Sequence, residues 1–386
     1  MDEPQDSPAG IAQAPRVVGG PIRSPREFKL VLRDRTPRLI AVPILIAINL
    51  AIFAAMVGAA RGASQFDPRM VVVWGANYGP RTLGGQPWRL LSSLFLHKGT
   101  VHVVGNMVLF LAVGPQVERA FKVARFSVLF VATGIIGSVA TLASNPQVAT
   151  TGASGGILGV MGAMVGFLLH ERKRVSPLAL GPGAWIFYLM AGIGLALARG
   201  DGTVDNTAHL AGFAVGVLFG YVLVIPLAPA PPQPARRVAM PLVAAVTIAA
   251  AAVAFLPKTF DYLAALDSYR RESGRLFGAY NALVQERQSG KASASDVADR
   301  LETAILPQWR VIPDSLGQEA KWPRKQRPFV NLVLRHAVAV ERWWTALAVG
   351  LRHGRPDDPA VSEAHKAVQT LSAEIVRWTS AQVTRE

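Results

Sequence analysis

Seven apolar runs, most of them long enough to cross a membrane as a helix, limit what this sequence can fold into. The hydrocarbon core of a bilayer is about 30 Å thick, a distance that an α-helix spans in about 20 residues. The runs cover residues 39–60, 101–115, 124–143, 154–170, 177–198, 206–227 and 238–256. The second run is short, but it lengthens when "SSLFLHKGT" is counted as its outer end. The pattern therefore predicts an all-α, polytopic membrane protein.

Composition and charge favour the same class. Hydrophobic residues make up 51% of the 386 residues and charged residues only 17%, whereas charged residues form about a quarter of a typical soluble protein. The net charge of +15 could indicate nucleic acid, but the basic residues precede the first run and occupy every second loop, at 118–125, 170–174 and 235–237. This positive-inside pattern places the N-terminus in the cytoplasm and indicates no nucleic-acid partner.

The absence of cysteine excludes disulfides, thiolate nucleophiles and cysteine-bound metals.

The sequence divides into five regions with different compositions. They are a cytoplasmic N-terminal segment with a short helix near 27–35 (1–38), a six-span domain (39–227), a Pro-rich linker (228–237), a seventh transmembrane helix (238–256) and a soluble helical domain (257–386). In the last region apolar residues repeat at helical spacing from Phe260 onward and again over 325–352 and 359–383, which predicts a small helical bundle. If the seventh helix crosses, this bundle lies outside the cytoplasm. Its residues indicate neither a catalytic site nor a partner.

Ser154 lies between glycines in "GASGG" (152–156), at the start of the fourth apolar run. The stretch fits the G-x-S-x-G motif of α/β-hydrolases, but that motif follows a buried strand. Here a polar loop, "ASNPQVATT", precedes the serine and a membrane helix follows it, so a soluble hydrolase is excluded. Small residues spaced four apart, Gly155 with Gly159 and Gly162 with Gly166, also serve close helix packing. Taken alone, this stretch favours packing.

The histidines change that balance. Of the seven in the chain, His97, His102 and His209 lie near the outer side of the membrane. With the N-terminus inside, the fourth and sixth spans both run inward from the outer face, so Ser154 and His209 begin their helices at similar depth. Close packing of the glycine faces of these two helices would bring the side chains together. An imidazole can accept the proton of an attacking serine, and an ionisable residue inside the membrane is a functional candidate by default.

His102 and Asn106 lie about 40° apart on one helix face and can reach the depth of Ser154. Two such donors would suit an oxyanion hole; the alternative is hydrogen bonding between helices.

In a continuous helix His97 would be about 140° from His102, which argues against a metal pair. We found no carboxylate at metal-ligand spacing, so the sequence predicts no metal and no cofactor. Asp205 could orient His209, but capping the sixth helix is the interpretation we favour.

Residues 39–227 resemble the rhomboid intramembrane serine proteases. The similarity rests on "WRLLSSLFLHKGTVHVVGNM", "VER" (117–119), "GASGG" and "AHLAGFAVG". It implies a six-helix rhomboid-like bundle with a Ser154–His209 dyad and no acid, and an oxyanion hole formed by His102, Asn106 and the Ser154 amide. Supporting positions implied by the family motifs are His97, Trp88, Arg89, Glu118, Gly152, Gly155, Gly212 and Gly216. The family usually has an aromatic residue four positions after the serine, and Leu158 departs from this, which predicts weaker orientation of His209.

The resemblance implies an endopeptidase that cleaves single-pass transmembrane proteins near the outer end of their helix, in a bacterial inner membrane. Its partners would be these substrates and the lipid bilayer, and no cofactor is implied. One alternative is an inactive rhomboid-like protein that binds membrane proteins, although such relatives typically lose the serine or the histidine. Another is a small-solute transporter, which would show repeated groups of spans; we find no such repeat.

Overall fold

A computed structural model describes residues 21–181, 206–227 and 234–383. The chain divides into two compact units, Met1–Pro257 and Lys258–Glu386. Over the described residues both units are built from helices and turns, and the only β pairing there consists of isolated bridges. The protein is therefore an all-helical, polytopic membrane protein.

The first unit contains the membrane helices. Over the described residues its α-helices are α1 Pro25–Arg35, α2 Ala41–Ala59, α3 Pro68–Trp74, α4 Gly79–Thr82, α5 Arg89–Ser92, α6 Thr100–Ser144, α7 Ser154–His170, α8 Asn206–Val222 and α9 Ala235–Phe255. Helices α2, α6 and α9 are long and apolar enough to cross a membrane, and α7 and α8 are apolar and slightly shorter. From residue 182 onward the predicted fifth span, 177–198, lies outside the described residues.

Helix α6 joins the second and third predicted spans into one element. It is broken at Lys122, whose φ of 61° and ψ of 165° are not helical, so the chain turns there without a long loop. The second span begins at Thr100, so the expectation that "SSLFLHKGT" extends the helix at its outer end was wrong. The span is longer at its other end, where the helix continues past residue 115 to the break at Lys122. The short helices α3, α4 and α5 lie between α2 and α6, in residues 60–99, which we call the outer loop. Most of these residues lie between the first two apolar runs of the sequence.

Helices α7 and α8 approach each other at backbone distance. A Cβ atom built on Gly212 would collide with the carbonyl oxygen of Gly155, and one on Gly216 would collide with that of Gly159. In the opposite direction, a Cβ atom on Gly162 would meet the carbonyl of Phe213. Glycines on both helices therefore form the contact, as the sequence spacing predicted, and small residues are what lets membrane helices pack this closely.

Glu118 fixes the start of α2 at the other end of the bundle. Its Oε1 atom accepts hydrogen bonds from the backbone N–H groups of Ile40 and Ala41, at 2.7 and 2.9 Å, and its Oε2 atom accepts one from Val42 at 2.8 Å. These N–H groups have no acceptor within their own helix, and a carboxylate is favourable at the positive end of the helix dipole. A fully buried carboxylate is thereby satisfied, and α2 is held against α6.

The second unit is a bundle of amphipathic helices. They are α10 Tyr262–Gln288, α11 Ala294–Arg300, α12 Leu306–Arg310, α13 Ile312–Leu316, α14 Arg327–Arg352 and α15 Pro359–Val383. The three long helices match the three segments with helical apolar spacing. Trp309 and Trp344 are buried at its centre, with ring centroids 4.9 Å apart. The short helices α11 to α13 were not predicted, because five to seven residues are too few to show a helical period.

The glycine contact leads to a prediction about stability. Gly216→Ala should lower the free energy of unfolding by about 1–3 kcal/mol, because its Cβ atom would force α7 and α8 apart. The measurement is the unfolding midpoint of the full chain in detergent. Gly105→Ala is the matched control, since Gly105 also lies within a membrane helix but has no atom within 4 Å of an added Cβ. Equal midpoints for the two variants would contradict a packing role for Gly216.

Candidate active site

Ser154 is the first residue of α7, and the outer loop holds the segment that leads into it. Asn77 and Thr150 exchange two backbone hydrogen bonds of 3.0 and 2.9 Å, and Gly152 N–H donates to the carbonyl of Ser93 at 2.9 Å. Gly152 adopts a φ of 125°, a conformation that glycine adopts readily and other residues rarely do. The serine therefore sits where an ordered turn ends and the positive end of a helix dipole begins.

Ser154 and His209 form a hydrogen-bonded pair. The distance from Ser154 Oγ to His209 Nε2 is 2.7 Å. Because α8 begins at Asn206, His209 lies in the first turn of its helix, as Ser154 does in α7. The imidazole is 5% exposed. The two helix starts therefore lie at the same level, and the pair has the geometry of a nucleophile and its general base.

His102 and Asn106 lie one turn apart on α6, next to the turn that precedes Ser154. A Cβ atom added to Gly152 would be 2.8 Å from His102 Nε2 and 3.5 Å from Asn106 Nδ2. Among the described residues, the buried Asn106 Nδ2 atom has no hydrogen-bond partner. A buried amide donor without a partner is unfavourable unless something binds it. Both side chains therefore lie against Gly152, where the His102 ring leaves no room for a Cβ atom.

His97 lies against His102 but not on the same helix. The rings meet edge to face with their centroids 5.0 Å apart. The expectation of a 140° separation was wrong, because α6 begins only at Thr100 and His97 belongs to the extended segment before it. His97 is fully buried, and neither ring nitrogen has a hydrogen-bond partner in the part of the chain that the structure describes. It positions the His102 ring by packing.

Trp88 and Arg89 hold the outer loop together. Arg89 is buried, and its Nη1 atom donates to the carbonyls of Val72 and Ala76 at 2.5 and 3.1 Å. Its guanidinium carbon also lies 4.7 Å from the centroid of the Trp88 ring, and the tryptophan is half exposed. The Arg89 guanidinium therefore contacts three parts of the loop, at Val72, Ala76 and Trp88. Asn77 of the same loop pairs with Thr150 and so fixes the turn before Ser154.

The remaining predicted positions differ in what they do. Gly212 and Gly216 form the close helix contact described above, whereas Gly155 has room for a Cβ atom, whose nearest neighbours would be 3.8 and 3.9 Å away. Leu158, one turn below Ser154, is buried in α7. Asp205, the residue considered as a cap for the sixth helix, lies outside the described residues.

A small cavity opens beside Ser154. Its volume is about 30 Å³, and Ser138, Thr141, Thr151 and Ala208 contribute to its lining. This is room for about two water molecules, and hydroxyl groups supply the polar partners that a buried water needs. Within the described ranges, no group of three histidine, aspartate or glutamate side chains is arranged to hold a metal ion.

A second serine–histidine pair lies in the other unit and was not predicted. His336 Nε2 is 2.9 Å from Ser372 Oγ, between α14 and α15. Burial lowers the pKa of His336. Neither residue stands at a helix start, and the sequence around them shows no glycine face and no shared membrane depth that would have suggested a pairing. We interpret this pair as a hydrogen bond that joins two helices of the bundle.

Comparison with known proteins adds a family to this geometry. Residues 84–226 match the Rhomboid domain family. The chain is 34% identical over 147 residues to RHOMBOID-like protein 4 of Arabidopsis thaliana, which covers 37% of this chain and 35% of that protein. It is 32% identical over 187 residues to Rhomboid protease GluP of Bacillus subtilis (strain 168), covering 48% and 34%. With Rhomboid-like protease 3 of Toxoplasma gondii it shares 31% identity over 162 residues, covering 40% and 59%.

The matched range, 84–226, lies within the membrane unit. The chain spans between 34% and 59% of the length of these three relatives. Eight residues that form or support the Ser154 centre fall inside residues 84–226. They are Trp88, Arg89, His97, His102, Asn106, Gly152, Ser154 and His209. The second unit lies outside the matched range.

The close approach of Gly152 to His102 leads to a prediction about the reactivity of Ser154. In Gly152→Ala the rate of labelling by a fluorophosphonate should fall about 10²–10³-fold, because the new methyl group collides with the His102 ring and displaces a donor for the phosphonyl oxygen. Gly155→Ala is the matched control and should label within about twofold of the unchanged protein, since its Cβ atom makes only ordinary contacts. The unfolding midpoint of each variant separates lost reactivity from lost structure. Similar labelling rates for both variants would contradict an oxyanion role for His102.

Proposed function

We propose that the chain is an intramembrane serine endopeptidase, because residues 84–226 of its membrane unit match the Rhomboid domain family. It hydrolyses a peptide bond in or near the outer end of a transmembrane segment. The observation that carries the proposal is the 2.7 Å contact between Ser154 Oγ and His209 Nε2 at the starts of two adjacent membrane helices. A serine hydroxyl becomes a useful nucleophile when a base next to it can take its proton.

In the first step Ser154 Oγ attacks the carbonyl carbon of the scissile bond while His209 Nε2 accepts the hydroxyl proton. The carbonyl oxygen becomes an oxyanion, which accepts hydrogen bonds from Asn106, His102 and the Ser154 N–H group. That N–H group has no acceptor inside its own helix. The bond between carbon and nitrogen then breaks, and His209 returns the proton to the leaving amine.

Hydrolysis of the acyl-enzyme needs a water molecule beside Ser154. The cavity of about 30 Å³ next to the serine, partly lined by hydroxyl groups, supplies a place for it. His209 takes a proton from this water as it attacks the ester carbonyl, and Ser154 leaves with that proton. No metal or cofactor takes part in this scheme.

The site chemistry also defines the substrate class. In a helical segment every peptide group is hydrogen-bonded within the helix, so its carbonyl carbon cannot reach Ser154 unless the helix unwinds locally. Single-pass proteins with a weak helix near the outer end therefore fit best. The sequence pattern of basic loops supports a cytoplasmic N-terminus, and we place the protein in a bacterial inner membrane, with Ser154 toward the outer side of the bilayer.

The competing function is an inactive relative that binds membrane proteins without cleaving them. Such a protein does not need a serine hydroxyl bonded to an imidazole, nor a buried amide such as Asn106 Nδ2 that has no partner among the described residues. The presence of both in this chain favours the protease.

The decisive experiment compares purified full-length forms on a single-span model substrate in detergent or liposomes. Ser154→Ala and His209→Ala should each reduce the cleavage rate at least about 10³-fold, because each removes one half of the proton-transfer pair. Ser372→Ala is the matched control: it removes the other histidine-bonded serine and should leave the rate unchanged. A folded, unchanged protein that cuts none of several such substrates would favour the binding function.

Leu158 gives a second prediction about the same reaction. Leu158→Tyr should raise kcat severalfold, since a ring one turn below Ser154 would restrict the imidazole of His209 to its productive orientation. The added volume in a buried position costs about 1–3 kcal/mol of stability, so the rate should be normalised to the fraction that a fluorophosphonate labels. Leu158→Met, which keeps the volume without a ring, is the control. A tyrosine variant no faster than the methionine variant would show that Leu158 does not limit turnover.

A further inference from the structure

Asn77 is a buried polar residue of the outer loop whose side chain the catalytic scheme does not use. The residue is 1% exposed, and both ends of its amide are hydrogen-bonded. Its Nδ2 atom donates to the carbonyl of Ser138 at 2.9 Å, and its Oδ1 atom accepts from Thr82 Oγ1 at 3.0 Å. Because one end of the amide donates and the other accepts, these two partners together fix its orientation.

The contacts of Asn77 reach three separate parts of the membrane unit. Thr82 is the last residue of α4, and Ser138 lies in the third span, the part of α6 that follows its break. The backbone of Asn77 exchanges two hydrogen bonds with that of Thr150, four residues before Ser154. One residue therefore joins the outer loop, a membrane helix and the segment that leads into the nucleophile.

The side chain and the backbone of Asn77 have different effects. The backbone pair with Thr150 can form with any side chain at position 77, and it joins the loop to the turn. The bond from Nδ2 to the Ser138 carbonyl adds a direct connection between this pair and the third span. Ser138 and Thr150 both line the cavity beside Ser154, so the amide also holds two sides of that cavity together.

Further contacts fix the backbone just before Asn77. Ser92 Oγ donates to the carbonyl of Gly75 at 2.7 Å, and Arg89 Nη1 donates to the carbonyl of Ala76 at 3.1 Å. Three consecutive residues of the loop are thus hydrogen-bonded, two of them to α5 and the third to the third span. Backbone held at each of these positions has little freedom, so a displacement of Asn77 passes to the turn instead of being absorbed by the loop.

We propose that Asn77 is a positioning residue for Ser154. Its amide holds the outer loop and the turn before the serine in place against the third span, and the turn sets where Ser154 stands relative to His209. The tolerance is small, because the 2.7 Å contact between Ser154 Oγ and His209 Nε2 stops being a hydrogen bond beyond about 3.5 Å. This role depends on the proposed protease function, although Asn77 touches neither the substrate nor the reacting atoms.

The test is Asn77→Ala in the purified full-length protein in detergent. The rate of fluorophosphonate labelling per folded molecule should fall about 10–100-fold, because a misplacement of about 1 Å at the reacting atoms has an effect of this size. With a single-span model substrate, kcat should fall by a similar factor. KM should stay within about twofold, since a buried amide adds nothing to substrate binding.

Asn49→Ala is the matched control. Asn49 is also buried in the membrane unit, and its Nδ2 atom also donates to a backbone carbonyl, that of Leu45 at 2.7 Å, but this bond lies within α2. Its labelling rate per folded molecule should stay within about twofold of that of the unchanged protein. Equal labelling rates for the Asn77 and Asn49 variants would overturn the proposal.

Thr82→Val approaches the same amide from its other end. The substitution keeps the shape of the side chain but removes the hydroxyl that donates to Asn77 Oδ1. Labelling should fall in the same direction, by about three- to tenfold, which is the effect of losing one ordinary hydrogen bond. The prediction therefore does not depend on the folding of a single variant, and a rate equal to that of the Asn49 variant would contradict it.

Amide hydrogen exchange tests the position of the turn without any activity. In Asn77→Ala the amides of residues 147–153 should exchange about tenfold faster than in Asn49→Ala, because the turn opens locally when it loses one hydrogen bond to the third span. If the unchanged protein cuts no substrate, the protease function fails, and exchange still decides the role of Asn77. Equal exchange over this segment in the two variants would overturn that role, even if Asn77→Ala reacts slowly.

Discussion

The contact between α7 and α8 is the interaction on which the Ser154 centre depends. Because their glycines allow backbone to touch backbone, the two helices run side by side from their first turns, and Ser154 and His209 come within 2.7 Å. In a bilayer the lipid is as apolar as the side chains, so helices associate through close packing rather than through the hydrophobic effect. A glycine face therefore does here what a leucine core does in a soluble protein.

A second set of contacts fixes the backbone around the serine. The outer loop is tied by the buried Arg89 guanidinium to two of its own carbonyls, and through Asn77 it pairs with Thr150 just before the turn at Gly152. The turn brings Gly152 against His102 and Asn106, so closely that a Cβ atom would collide with the His102 ring. Donors that are already oriented need no rearrangement during reaction, which is the source of electrostatic catalysis.

Much of this arrangement could be predicted because it follows from period and depth. Helix geometry placed His102 and Asn106 on one face, and topology placed Ser154 and His209 at one level. The prediction for His97 failed because it assumed one continuous helix, while the actual start at Thr100 depends on how the outer loop packs. The short helices α3 to α5 and α11 to α13 and the pair of His336 with Ser372 likewise arise from tertiary contacts, which leave no periodic signal in the sequence.

Helix α8 links the two ends of the membrane unit. Its first turn carries His209, its glycines pack on α7, and the carbonyls that follow its last turn accept hydrogen bonds from Arg35 and Arg125. A helix that packs through glycines has few side chains to resist sliding along its axis. The arginines supply that resistance, because a shift of one residue, about 1.5 Å, would break their bonds to the carbonyls. The same shift would move His209 out of hydrogen-bond range of Ser154, so the position of the imidazole depends on charged contacts at the far side of the bilayer.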